Sequence, residues 1–428
     1  MLKKLLSVMF LFVMTVGVFS QSIPSGTARY QALGYNPFIM DAATDILRNP
    51  AWAGMYHNYA FGDIGTATSN GSDFYLDNQY AGINFHTGKN ITLGVVLNKD
   101  LSMWNLFNDP NSSQRADSVG IKTPIIPLEL LLSWSSKKLN VGLAPYYAMW
   151  SSDYTSTSTA SGSDSYEDKR SSSSIGGTLG IISHMQNNNW VEGSVDFKLN
   201  HYKRVVTNSN PSSSTTWDNT GGMELGVNLR GWFTVSKPNK ITVVPYINFS
   251  MFNWTPEFIT SPTANTVIQT DVKNLSFGGG IGINMPILDD GMLAGGLSTG
   301  YTSYKSTSAD TTRRDYTVTS FTLPQFNIGL EWYFTDWLIG RAGYSRSIQN
   351  YKVEDDAKIS SQQTETYSES YPSNPDQTVT LGLGWSFGRF SLEGLIGEKF
   401  FQRAPYIVSG HATDMFGVLS ASYNFNKK

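Results

Sequence analysis

The sequence predicts an all-β fold, a transmembrane antiparallel β-barrel of about 16 strands with about 14 as the alternative count, preceded by a short N-terminal segment. Three observations carry this expectation: apolar residues recurring at every second position, very short turns alternating with long polar connections, and tryptophans gathered near strand ends. The stretch QTVTLGLGWSFGRF shows the first. Val379, Leu381, Leu383, Trp385 and Phe387 share one face, and Thr378, Thr380, Gly382, Gly384 and Ser386 share the other. In a soluble sandwich the face turned to water carries lysine and glutamate, but here the polar face is small and nearly uncharged. The apolar face is therefore read as the one that meets lipid, and closure into a barrel disposes of edges that hydrocarbon does not tolerate.

Composition narrows the function classes. A formal charge of −3 over 428 residues gives no basis for a nucleic-acid partner. The chain has no cysteine, which excludes disulfides and thiolate metal sites and suits export through an oxidising periplasm. No cofactor, metal or catalytic residue is expected.

The chain opens with MLKKLLSVMFLFVMTVGVFSQS. Lys3 and Lys4 precede an apolar run from Leu5 to Phe19, and Val18 and Ser20 supply small residues for cleavage before Gln21. Residues 1–20 read as a secretory signal peptide, since the run falls short of the ~20 residues that a spanning helix needs. Residues 21–56 follow as a hatch or plug segment. Asp41 can cap a helix running to Arg48, and Pro50 stops it.

Residues 57–428 read as the barrel. Its two-faced strands carry sets such as Ile91/Leu93/Val95/Leu97, Leu128/Leu130/Leu132/Trp134, Val191/Val195/Phe197/Leu199 and Phe326/Ile328/Leu330/Trp332. Short turns are expected at HTGKN, SSKK, QNNN, SKPN, LDDG, TDW and GR. Long loops are expected around residues 68–78, 99–124, 152–172, 203–219, 256–270, 304–315, 351–376 and 403–411, the third of them low-complexity. Trp134, Trp190, Trp232, Trp332, Trp337 and Trp385 lie near short turns, and Trp150 and Trp254 near long loops, as two aromatic girdles would require. Tyr423 and Phe425 near the C-terminus resemble the signal read by barrel assembly machinery, although three residues trail them.

The opposite face of each strand should line the lumen. It carries Glu129, Glu192, Asp196, Lys198, Glu224, Arg230, Glu331 and Arg341. Such charges can sort solutes across a pore; the plainer reading is an ion-pair network that braces the wall. Loop aromatics that could catch a hydrophobic solute are Trp104, Phe107, Trp217, Trp254 and Phe258, and girdle anchoring or loop packing is the plainer reading for each. GLSTG, at Gly296 to Gly300, matches a hydrolase pattern in letters only, because Ser298 falls mid-strand with no helix after it.

The stretch DAATDILRNPAWAGM, followed at once by the first strand, resembles the start of the long-chain fatty-acid transporter family of outer-membrane barrels. The resemblance implies an N-terminal hatch that plugs the lumen, with Asp41, Asn49, Pro50 and Ala51 in the matching positions, and a hydrophobic small-molecule ligand passing by facilitated diffusion. The family's barrel has fourteen strands. The plan is also similar to barrels of the type IX secretion apparatus, which do not import fatty acids. A Gram-negative-type outer membrane is the expected location, with outer-membrane lipid and the assembly machinery as partners. The functional alternatives are a non-transporting barrel that anchors or shuttles surface proteins or serves a secretion complex, and a general porin for polar solutes.

Overall fold

A computed structural model describes residues 28–426 except 65–66, 71–72, 77–79, 89, 98–119, 123, 159–163, 210–211, 262–267, 289, 309–313, 361–362, 373–375 and 397–415. The expected signal peptide, residues 1–20, lies outside the described residues, as do Trp104 and Phe107.

Stretches rich in Thr, Val, Ile, Tyr and Phe with period-two alternation take extended backbone, because such side chains pack well on a pleated surface. The strands are β1 (Tyr59–Ile64), β2 (Ala67–Asn70), β3 (Asp73–Leu76), β4 (Tyr80–His86), β5 (Ile91–Leu97), β6 (Ile125–Ser135) and β7 (Leu139–Ser158). Next come β8 (Asp164–His184), β9 (Trp190–Ser209), β10 (Ser212–Ser236), β11 (Ile241–Ser261), β12 (Ile268–Ile287) and β13 (Gly291–Ser308). The last are β14 (Arg314–Tyr333), β15 (Leu338–Ser360), β16 (Gln363–Pro372), β17 (Asp376–Phe387), β18 (Phe390–Ile396) and β19 (Phe416–Asn424).

Every pairing is antiparallel, and β1 pairs with both β4 and β19, which closes the ring. β16 and β17 both lie against β15 and make one stave, so the wall is a 16-strand barrel, with the β2–β3 hairpin apart from it. Both ends of the wall, Tyr59 and Asn424, meet at the rim that carries the short turns. Those turns fall at the expected places. At 136–138 the Ser136 hydroxyl accepts from the Leu139 amide at 3.0 Å, and the tightest turn, after Phe387, places Gly388 at φ 64, where a side chain is strained.

The radial pattern follows the alternation. Leu130 and Leu132 are 48% and 45% exposed on the outside, while Glu129 and Ser133 on the same strand are 1% and 0% exposed. Ile175, Leu179, Phe197, Ile247, Ile328 and Val379 continue the outer band. A closed wall that turns its oily faces outward and its polar faces inward is the architecture of an outer-membrane barrel.

Two expectations need correction. The connections around 152–172, 203–219, 256–270, 304–315 and 351–376 are mostly strand rather than loop. β7 and β8 stay paired as far as Ser158 and Asp164, and β9 and β10 as far as Ser209 and Ser212. Ser and Thr dominate these arms, and paired in register they hold a ladder that their composition conceals. Strands β7 to β15 therefore run 18 to 25 residues, about twice the ~10 that a tilted strand needs to cross a bilayer. The second correction concerns tryptophan. Trp134 and Trp337 are exposed, but Trp190, Trp232, Trp150 and Trp254 stand on the inner-face parity of their strands, and Trp232 and Trp254 are buried. Height along the barrel was readable from turn positions; direction depended on parity.

Candidate functional site: the filled lumen

The turn-side half of the lumen holds residues 28–56. Two short helices, α1 (Ala28–Ala32) and α2 (Ala42–Arg48), are followed by a 3-10 turn at Pro50–Gly54. Asp41 caps α2 by accepting from the Thr44 amide at 3.0 Å, and its own amide donates back to Asp45 at 2.9 Å. Asn49 ends α2 and caps the 3-10 turn, accepting from the Ala51 amide at 3.1 Å, while Pro50 occupies a first-turn position that needs no N–H. Ala28, Leu33, Phe38, Ala51 and Ala53 are fully buried.

The wall is shaped to receive this segment. A Cβ on Gly180 would collide with the Asn49 side chain, and one on Gly282 with the Phe38 ring. Asn49 Nδ2 donates to the carbonyls of Ile181 and Gly193, each at 3.3 Å. Asn327 donates to the Gly34 carbonyl at 2.9 Å, and Thr380 to that of Ala32 at 3.0 Å. The last two satisfy carbonyls that the segment's irregular path leaves without partners of its own.

Two ion-pair networks join segment to wall. In one, Arg230 reaches Asp45 at 2.6 Å, bonds Glu192, donates to the Ile39 carbonyl at 3.1 Å and lies 5.0 Å over the Trp232 ring. Trp52 also donates to Glu192. In the other, Arg29 pairs with Glu331 at 2.8 Å, Arg341 meets the same carboxylate at 2.6 Å, and Arg341 bonds Glu393. Withdrawing charges from water in this way is costly unless each has a partner, and here each has one.

Toward the loops, the lining turns aromatic. Tyr146, Tyr202, Phe252, Trp254 and Val272 pack with Ile121 into one buried cluster, against which Trp150, Trp217 and Tyr304 rest. Tyr202 and Trp254 meet edge to face at 5.6 Å. Ile121 belongs to a strap whose Gly120 and Lys122 carbonyls accept from Arg170 and Ser172 of β8 at 3.1 and 2.7 Å. At the turn side, a cavity of about 260 Å³ remains between the N-terminal segment and the wall of β18, β19 and β1, lined by Arg29, Asp41, Phe61, Glu393 and Ser422.

The expected lumen residues all stand on the inner face. Glu192, Arg230, Glu331 and Arg341 join the segment's networks, whereas Lys198 bridges Asp196 at 3.0 Å and Glu224 at 2.7 Å within the wall alone. Glu129 is buried opposite Tyr146. Of the expected loop aromatics, Trp217, Trp254 and Phe258 lie on strands, not in loops, because the arms carry the ladder past them. Gly221 and Gly222, at φ 82 and 64, form a bulge that resets the parity of β10, so Trp217 stands beside Arg204, whose guanidinium lies 5.0 Å over its ring. Ser298 is buried mid-strand in β13.

No family model and no curated protein matches the chain. Among solved structures it is similar to the toluene transporter TodX of P. putida, at 12% identity and a TM-score of 0.37 over 95% of this chain and 100% of that one. It is also similar to a Pseudomonas aeruginosa FadL homologue, at 11% identity and a TM-score of 0.45 over 96% and 100%. A third is the CymD monoaromatic hydrocarbon channel, at 9% and 0.35 over 95% and 99%. These superpositions are loose.

Several lumen residues gave little sign in sequence. Arg29, Asp45 and Trp52 sit in a segment with no strand pattern to orient them. Tyr146, Tyr202 and Phe252 could have been found by parity, since each alternates with an outward set. His57 and His86, far apart in the chain, bring their rings to 4.9 Å at the turn-side rim.

Proposed function

We propose that this chain is an outer-membrane channel for small hydrophobic solutes, which it passes by facilitated diffusion around an N-terminal plug, residues 21–56. The observation that carries the reading is the lumen lining. An aqueous pore is lined with polar groups, but here Tyr202, Phe252 and Trp254 face inward as one apolar cluster on the loop side. A hydrophobic solute exchanging places with these rings loses little on leaving the surrounding lipid or polar surface layer. Beneath it, the plug is held by hydrogen bonds, ion pairs and apolar contacts with the wall, and the 260 Å³ cavity beside β18, β19 and β1 offers a way out. Asn49, bonded to β8 and β9, and Pro50 and Ala51, packed on β7, supply the turn that seats the plug on the wall.

Proteoliposomes test the reading. Labelled toluene or a labelled fatty acid should equilibrate faster than in protein-free vesicles, whereas a labelled sugar should not. Ser422→Trp, which fills part of the cavity, should slow the hydrophobic solutes. Equal rates with and without protein would refute transport.

One observation favours a second reading, a non-transporting barrel that anchors surface proteins or serves a secretion complex. The paired arms of β7 to β15 extend far beyond the apolar band and offer a platform. Partner chains co-purifying in fixed proportion would favour that reading.

A further inference from the structure

Lys273 on β12 and Lys305 on β13 are direct cross-strand partners, and both are exposed. Like charges placed opposite one another destabilise a sheet. Neither lysine forms an ion pair among the described residues. The next acid on their face, Asp271, instead accepts from the Thr255 hydroxyl at 2.7 Å. In register on either side stand Asn253 of β11 and Thr317 of β14, an amide and a hydroxyl that can donate hydrogen bonds.

The pair's position identifies what can relieve the repulsion. Phe249, Phe277, Tyr301 and Phe321 are successive cross-strand partners on the outer face, with Phe277 and Tyr301 edge to face at 6.2 Å. Such a row marks the boundary between acyl chains and headgroups. Lys273 lies two same-face steps loopward of Phe277, past the exposed Leu275, and Lys305 lies two steps loopward of Tyr301. Both ammonium groups are thus held in the headgroup layer of the loop-side leaflet, about 5 Å apart at their Cβ atoms, a spacing that lets two of them bracket one tetrahedral anion.

We propose that Lys273 and Lys305 form a binding site for the phosphate of a lipid headgroup in that leaflet, with Asn253 and Thr317 at its flanks. The site is independent of what the lumen carries. Its test compares phosphatidylcholine nanodiscs with and without phosphatidic acid, reading retained lipid by native mass spectrometry and unfolding by heat. The native chain should retain phosphatidic acid about 30-fold more tightly than a variant carrying both Lys273→Gln and Lys305→Gln. In phosphatidylcholine alone, the same variant should unfold at an equal or higher temperature, since only the repulsion has been removed. Lys352→Gln, which removes a lysine already paired with Glu354 at 2.6 Å, should leave retention unchanged. Equal retention by the native chain and the double variant would overturn the proposal. So would an equal loss in Lys352→Gln, or stabilisation by inorganic phosphate with none from phosphatidic acid.

Discussion

Arg230 lies buried between Asp45 of the N-terminal segment and Glu192 of the wall. Truncating it would strand two carboxylates away from water, a cost of roughly 3–5 kcal/mol for breaking a buried pair. Arg230→Ala should therefore loosen residues 28–56 while the barrel stays closed, read as faster protease cleavage of the segment in proteoliposomes with an unchanged β-sheet spectrum. Arg230→Lys should fall between, because an ammonium keeps the charge but loses the fork that serves both acids. Gly180→Leu should release the segment too, since its side chain would occupy the space of Asn49. The inward direction of Arg230 was legible from strand parity. Its partner was not, because Asp45 lies 185 positions away and only closure of the ring brings them together.

At the scale of elements, the arms beyond the apolar band are the least legible part of the fold. The Ser and Thr run from 151 to 174 reads as a low-complexity loop, yet β7 and β8 pair through it without a register shift. Composition misleads here because a ladder in water needs no apolar alternation, only compatible backbones and cross-strand partners. Asp168 braces this arm. Hydrogen bonds from the Arg170 guanidinium, then from Arg204, hold its carboxyl well below the usual carboxylate range. With the folded value depressed, the stabilisation is complete above the unfolded carboxylate value of ~3.9 and is lost only as pH falls through the lower folded value. Asp168→Asn should thus raise hydrogen exchange in residues 164–172 relative to the native chain equally at pH 7 and pH 5, the difference vanishing only in stronger acid. A difference already shrinking between pH 7 and pH 5 would contradict this.

At the scale of the whole molecule, strand number and the rim at which the first and last strands of the wall meet follow from alternating short turns and long connections, and the lipid face follows from period-two patterning. Neither depends on remote contacts, which is why both are legible. The filling of the lumen does depend on them. The seat of Asn49 is made by the Ile181 and Gly193 carbonyls, far along the chain and carrying no side-chain signal at all. The proposed function requires the N-terminal segment to obstruct a barrel otherwise wide enough to conduct. Planar-bilayer recording of the chain lacking residues 23–50 tests this most directly: larger, steady unitary conductance than in the intact chain is expected, and identical conductance from the two would refute obstruction.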